Sequence, residues 1–245
     1  MGVLIKVVNA LWEKRNLGLK VNEITLEKQD FDSLDSIKLI EDNSDYVVIK
    51  FSTDLNKLIF EVQDLGYTFV ELLNTTSKKT SSLPPLHGLK QRFFQNLNIK
   101  EIDKNSLSLV FDNFENDLFQ TDRISVDPFF KLDQTGIRYV GLINDVLENE
   151  GVLSGLYLKN ELVGFYTYKV ESCELMKFQI GAIFNKFKNF GLGYFLNYFQ
   201  LLEAQRLGIT SVSTTYSSNN LAARKVHESL NYIISCQEYV FVKHL

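Results

Sequence analysis

The sequence predicts a mixed α/β protein in two unequal parts, the larger leading an antiparallel meander into a parallel strand–helix–strand crossover. Three patterns carry this prediction. Three apolar runs, 152–158, 162–170 and 175–184, follow one another with short polar breaks. A helix with one apolar stripe then opens at Gly191 and closes at Gly208. A separate strand–helix–strand pattern lies far upstream, between Asp45 and Asn74.

In chain order, Tyr46-Val47-Val48-Ile49-Lys50-Phe51 is rich in β-branched and aromatic residues and reads as a buried strand. Leu55, Leu58, Ile59, Val62 and Leu65 recur at helical spacing and stop at Gly66, a C-cap residue. Residues 67–73 read as the next strand. The polar stretch from Ser77 to Pro85 holds two of the three prolines, which break regular structure. The expected division is therefore a small unit over 1–78, a linker over 79–92 and a larger unit over 93–245.

Beyond the linker, a polar and aromatic segment over 117–130 ends in Asp127-Pro128, and residues 137–147 carry apolar residues at helical period. Asn160-Glu161 is the tight turn between the first two strands of the meander. In the helix from Gly191 to about Leu207, Leu192, Phe195, Leu196, Phe199 and Leu202 form the apolar stripe. A strand over 209–215, a helix over 219–230 and one or two strands over 232–242 complete the chain.

Composition narrows the functional classes. The chain has 245 residues, 45% hydrophobic, 23% charged and 13% aromatic, as in a folded domain rather than a disordered one. A net charge of −4 gives no support to nucleic-acid or acidic-membrane binding. Cys173 and Cys236 form no CxxC pattern and the chain has three histidines, so neither a disulfide framework nor a metal site is expected. Met1–Lys6 shows no signal peptide and lacks the Ser or Thr that a myristoylation signal wants at position 6. No stretch approaches the length of a membrane span. A cytoplasmic protein is the expectation.

The segment richest in chemistry is Lys188-Asn189-Phe190-Gly191-Leu192-Gly193-Tyr194, which joins a strand to a helix. Glycine there lets the backbone approach a ligand and take up turn geometries closed to other residues. The free amides of a first helical turn, aligned with the helix dipole, suit a pyrophosphate. Lys188 would add a charge. A glycine pair after a strand is also a common tight turn, so the segment alone leaves both readings open.

Its surroundings resemble the GNAT N-acetyltransferase superfamily, whose signature is Arg/Gln-x-x-Gly-x-Gly/Ala between the fourth strand and the third helix. Lys188, Gly191 and Gly193 fit it, with lysine in the Arg/Gln place. Family members continue with Asn-x-x-Ala-x-x-x-Tyr-x-x-x-Gly-Phe; here Asn220, Ala223, His227, Asn231 and Tyr232 keep that spacing. The resemblance implies a GNAT acyl-CoA acyltransferase fold preceded by a smaller, incomplete GNAT-like domain. It also implies acetyl-CoA as co-substrate, no metal, and acetyl transfer to a primary amine. Thr121-Asp122-Arg123, Asp127–Phe130 and Arg138-Tyr139, with Trp12-Glu13 and Leu17-Gly18, are similar to two-domain nucleotide-amino-sugar acetyltransferases of the dTDP-fucosamine acetyltransferase type. That narrower likeness implies an amino-sugar acceptor. The implied partners are a small-molecule amine and a second copy of the chain, without nucleic acid or membrane.

The resemblance also assigns residues. The backbone of Ala182, Ile183 and Phe184 would pair with the pantetheine arm, an unpaired strand edge wanting such partners. Lys188, Asn189, Phe190, Gly191, Leu192, Gly193 and Tyr194 would hold the diphosphate, with Asn220 and Ala223 facing the cofactor. Asn220 also suits a helix N-cap. His227 stands where the family has its tyrosine acid; it is either the proton donor to the departing thiolate or a packing residue. Tyr216 is the alternative donor, with core packing as its plainer reading. Glu171 and Glu174 read as solvated turn residues, and no general base is named. Arg123 and Arg138 would meet a nucleotide diphosphate or form ion pairs within the protein. Asn231 tolerates the left-handed turn that the family fills with glycine. Neither cysteine is placed as a nucleophile, which fits direct attack. Two rivals remain: the same enzyme acting on another small-molecule or protein amine, and a coenzyme A-binding module without catalysis.

Overall fold

The apolar runs between 152 and 184 form the expected meander in the computed structural model, which describes residues 5–27, 35–114 and 118–245. Met1–Leu4, on which much of the leader and lipidation reading rests, and Asp117 lie outside the described residues. The chain runs through β1 (Ile5–Asn9), α1 (Leu11–Leu17), β2 (Val21–Leu26), α2 (Asp35–Glu41), β3 (Tyr46–Ser52), α3 (Leu58–Asp64) and β4 (Thr68–Lys79). Then come α4 (Leu89–Phe94), β5 (Leu97–Glu101), α5 (Ser108–Phe111), α6 (Arg123–Val126) and α7 (Leu132–Glu148). The last segment holds β6 (Val152–Leu158), β7 (Glu161–Val170), β8 (Leu175–Ile183), α8 (Leu192–Arg206), β9 (Ser211–Ser217), α9 (Leu221–Ser229) and β10 (Ile233–His244).

All ten described strands join one sheet, in the order β1-β2-β3-β10-β4-β9-β8-β7-β6-β5. The parallel crossover expected from sequence is the β8–β9 pair bridged by α8, and a second parallel pair joins β2 to β3. The order interlaces early and late segments. β4 pairs with β9, whereas β10 lies antiparallel between β3 and β4. Its Val240 and Phe241 are fully buried, and Phe241 stacks on Phe51 of β3 at 5.6 Å between ring centroids.

β4 also corrects the sequence reading, which ends this strand at Leu73 and reads the following polar residues as a break. Lys78, flanked by β9 alone, is buried in strict alternation with Asn74 and Thr76, which lie between β9 and β10. Their backbone groups are satisfied by two ladders, so polar side chains do not end the strand. Irregular backbone is confined to residues 83–88, and α4 follows it.

Successive residues of β7 serve the two faces of the sheet, as the period of a strand requires. Tyr166 packs with Leu192, Leu196 and Leu201 of α8, and Phe165 with Ile143 of α7 and Phe184. Each such side chain removed from water contributes about 1.5–3 kcal/mol. α7 also receives α1: a Cβ at Gly141 would run into the Asn16 amide, so glycine there makes room for that side chain. Asn231 adopts φ 58°, the left-handed turn its place required. No described helix is long and apolar enough to cross a membrane.

Candidate active site

The site begins where two parallel strands part. β8 and β9 pair from Leu175↔Ser211 to Phe178↔Thr214 and no further. β8 nevertheless continues to Ile183, with Gly181, Ala182 and Ile183 paired on its other side to β7. The edge of Gln179–Ile183 facing β9 is thereby left without a strand partner, and buried main-chain groups want one. A cleft of about 810 Å³ opens there, with Gln179–Ile183 on one wall and Thr214–Ser217 on the other.

The mouth of α8 closes one end of the cleft. After β8 a single 3-10 turn, Asn185–Phe187, leads to Asn189 at φ 72° and Gly191 at φ 71°, both left-handed. Gly191 is the N-cap and has no side chain to satisfy the first-turn amides. Those of Leu192 and Gly193 have no carbonyl behind them in the helix. A Cβ at Gly193 would lie 3.6 Å from Val226 Cγ2, an ordinary contact, so the protein itself leaves room for a side chain there. The space and the amides together suit an anion.

On the opposite wall, Asn220 caps α9, its Oδ1 accepting from the Ala223 amide at 2.9 Å. His227, two turns further along α9, is buried, stacked on Tyr232 at 4.7 Å and met edge-on by Tyr216 at 4.9 Å. Its Nδ1 lies 3.1 Å from the Thr76 hydroxyl. Burial drives its pKa down to about 4. At neutral pH the ring is uncharged, which removes the imidazolium proton that the acid reading of His227 relies on. Burial pushes the Tyr216 phenol up from the ordinary tyrosine range.

Beyond Tyr216 the cleft is lined by Glu71, Phe119, Asp122, Arg123, Arg138, Tyr139 and Ser217. Both arginines are buried and hold carboxylates. Arg138 bonds Glu13 at 2.7 Å and Asp122 at 2.9 Å; Arg123 bonds Glu13 at 2.9 Å and Glu23 at 2.6 Å. Lys50 adds a 2.6 Å contact to Glu23. Burial opposes ionisation of Glu23, but Arg123 and Lys50 overcome it and hold its pKa near 2, lowered to about 2. For Asp122 the same contest is won by Arg138, and its carboxyl lies below the ordinary range. Glu71 differs. Burial raises its pKa, and Ser217 and Arg123 do not offset the rise.

The structure brings nearly all the residues singled out from sequence into this one cleft: Ala182, Ile183, Lys188, Asn189, Gly191, Leu192, Gly193, Tyr194, Tyr216, Asn220, Ala223, His227, Arg123 and Arg138. Two stand apart. Phe184 is buried beside Phe165, and its amide donates to the Val163 carbonyl at 3.0 Å, so its N–H is not offered to a ligand. Phe190 turns its ring to solvent, 63% exposed. The ion pairing considered for Arg123 and Arg138 is internal to the protein. Sequence reasoning missed Gln179, Ile180 and Gly181, which precede the segment taken from the motif, and it missed Glu71. A lone carboxylate at an inward position of an apolar strand was the available signal for Glu71.

No family model matches this sequence, and no curated protein matches it. Solved structures do share the fold. A conserved protein of unknown function from Staphylococcus epidermidis superposes with a TM-score of 0.66 at 13% identity, covering 91% of this chain and 84% of that one. A GCN5-related N-acetyltransferase from Sphaerobacter thermophilus gives 0.64 at 10% identity, over 98% of this chain and 76% of its own. A tandem GNAT protein from the clavulanic acid biosynthesis pathway gives 0.58 at 8% identity, over 92% and 78%. At such identities the likeness establishes architecture alone: the chain has the GNAT fold.

Proposed function

We propose that this protein is an N-acetyltransferase that binds acetyl-coenzyme A between β8 and β9 and passes the acetyl group directly to a primary amine. One observation carries the reading. The open edge of Gln179–Ile183 runs straight into the uncapped mouth of α8, so an extended amide-bearing chain ending in a diphosphate finds both partners in sequence.

The chemistry follows from the residues present. The pantetheine amides pair with the free β8 edge, and the diphosphate meets the amides of Leu192 and Gly193 with Lys188 beside them. The amine nitrogen attacks the thioester carbon, and the carbon–sulfur bond breaks. A thiol titrates near 8.5, so the thiolate leaves readily and a donor is an aid, worth about 10²–10⁴-fold in general. Tyr216, which holds its proton at the edge of the parted strands, supplies that donor in preference to the neutral His227. Both cysteines are exposed and neither lines the cleft, which fits transfer without an acyl-enzyme.

The acceptor is read here as an amine without a nucleotide. A diphosphate clamp would fall to Arg123 and Arg138, whose guanidinium groups already bind Glu13, Glu23 and Asp122. Titration calorimetry with acetyl-coenzyme A, followed by thiol-release assays over a panel of primary amines, tests the proposal. Micromolar binding with amine-dependent thiol release is expected. Absence of any binding would overturn it, and binding without acetylation of any amine would leave a coenzyme A-binding module.

A further inference from the structure

The charges at the acceptor end of the cleft leave one carboxyl over. Glu13, Glu23 and Asp122 stand against Arg123, Arg138 and Lys50, three against three, and every member is held by an ion pair of 2.9 Å or shorter. Glu71 is the fourth carboxyl and takes part in none of these pairs. It is 2% exposed, lines the cleft beside Ser217, Arg123 and Tyr139, and its Oε2 has no hydrogen-bond partner. A buried carboxylate oxygen without a donor is destabilising unless a ligand supplies one.

The backbone fixes Glu71 in that place. It lies on β4, two residues before Leu73, which pairs with Ser217 at the end of β9. The Ser218 amide donates to the Leu72 carbonyl at 2.7 Å, and the Leu72 amide donates to Ser218 Oγ at 3.0 Å. These bonds tie the end of β9 to β4 around Glu71, beside Tyr216. The stacked rings of Phe119 and Tyr139, 3.7 Å apart, supply an apolar wall to the same end of the cleft.

We infer that Glu71 binds the ammonium group of the acceptor and takes its proton, and that the acceptor is a small cationic primary amine. This rests on the acetyltransferase reading above. One proton passes from the ammonium nitrogen to the Glu71 carboxylate, leaving a neutral amine whose lone pair attacks the thioester carbon. As the carbon–sulfur bond breaks, a second proton from nitrogen reaches the thiolate by way of Tyr216. The products are the acetamide, the free thiol and a protonated Glu71, which returns its proton to water. Burial raises the basicity that this step needs, while a hydrogen bond from Ser217 and the charges of Arg123 and Lys50 moderate it and Asp122 adds to it; Tyr139 is the other polar group facing the carboxyl.

The test compares wild type with Glu71→Gln, using butane-1,4-diamine, glucosamine and lysine as acceptors and calorimetry for acetyl-coenzyme A. Glu71→Gln is expected to bind acetyl-coenzyme A as wild type does. It is expected to lose about 10²–10⁴-fold in kcat/KM for the amines, together with the acidic limb of the pH profile. Glu71→Asp, the second variant, keeps the charge but withdraws it, and is expected to retain that limb at lower kcat. Two results would overturn the inference while leaving acetyl-coenzyme A binding intact: Glu71→Gln within about threefold of wild type, or a wild type that acetylates none of the three cationic amines. A wild type that binds no acetyl-coenzyme A would instead bring down the acetyltransferase reading itself.

Discussion

Thr76 and His227 meet across 3.1 Å, a hydroxyl on β4 against an imidazole on α9. The Thr76 hydroxyl also lies 3.3 Å from the Thr214 carbonyl on β9. The pair couples an early strand to the late helix that walls the cleft, and it sits where only a neutral ring is comfortable.

Stability should therefore fall with acid in a particular window. The His227 pKa is depressed to about 4 in the fold, against 6.5 for an ordinary histidine, so the unfolded chain binds the extra proton first. The contribution is present above pH 6.5 and is lost as pH falls through about 4, reaching roughly 3 kcal/mol. Denaturant titrations between pH 4 and 7 on wild type and His227→Phe measure it. The variant should lack this part of the slope; an unchanged slope would mean that the ring is not held neutral.

Tyr216→Phe should lower kcat roughly 10- to 100-fold without weakening acetyl-coenzyme A, since it removes a donor and leaves the diphosphate site alone. His227→Phe should cost less than tenfold in kcat. Steady-state kinetics with calorimetry separate the two, and the reverse ranking would restore His227 as the acid.

Removal of Arg138 should be among the most damaging single changes. Glu13 is 0% exposed and takes three of its bonds from this guanidinium. Arg138→Met leaves Glu13 with Arg123 alone and takes from Asp122 its ion-pair partner, at about 3–5 kcal/mol. The double variant Asp122→Asn with Arg138→Met should recover part of that loss in a denaturant titration, because the carboxylate left without an ion pair goes with its partner.

Gly191→Ala tests the loop. At φ 71° a Cβ costs about 1–2 kcal/mol even though nothing crowds it. The expected result is a modest fall in melting temperature with acetyl-coenzyme A weakened about tenfold, as the amides of Leu192 and Gly193 lose their aim. Unchanged affinity would remove the loop from the binding site.

The later half of the fold was legible because its elements announce themselves locally. The meander is apolar and punctuated at Asn160, α8 lies between Gly191 and Gly208 although it buries Tyr198, Leu201 and Ala204 more fully than the Phe199 and Leu202 of the expected stripe, and the motif spacing placed Asn220 at the cap of α9 and His227 within it. The earlier half was harder. β1 turns most of its residues to solvent and shows no alternation, and β4 buries Asn74, Thr76 and Lys78, which sequence patterns count as loop residues. Glu71 was hidden for another reason. Its inward place on an apolar strand was legible, but its meaning depends on Lys50, Asp122, Arg123 and Ser217, brought in from three separate elements, and no spacing along the chain encodes a charge that lacks an opposite.

The position of β10 governs how this molecule is made. Synthesis delivers β3 and β4 early, but they are separated by a gap one strand wide, and the strand that fills it is translated only after α9. The join between β3 and β4 is therefore completed only by a strand from far later in the sequence.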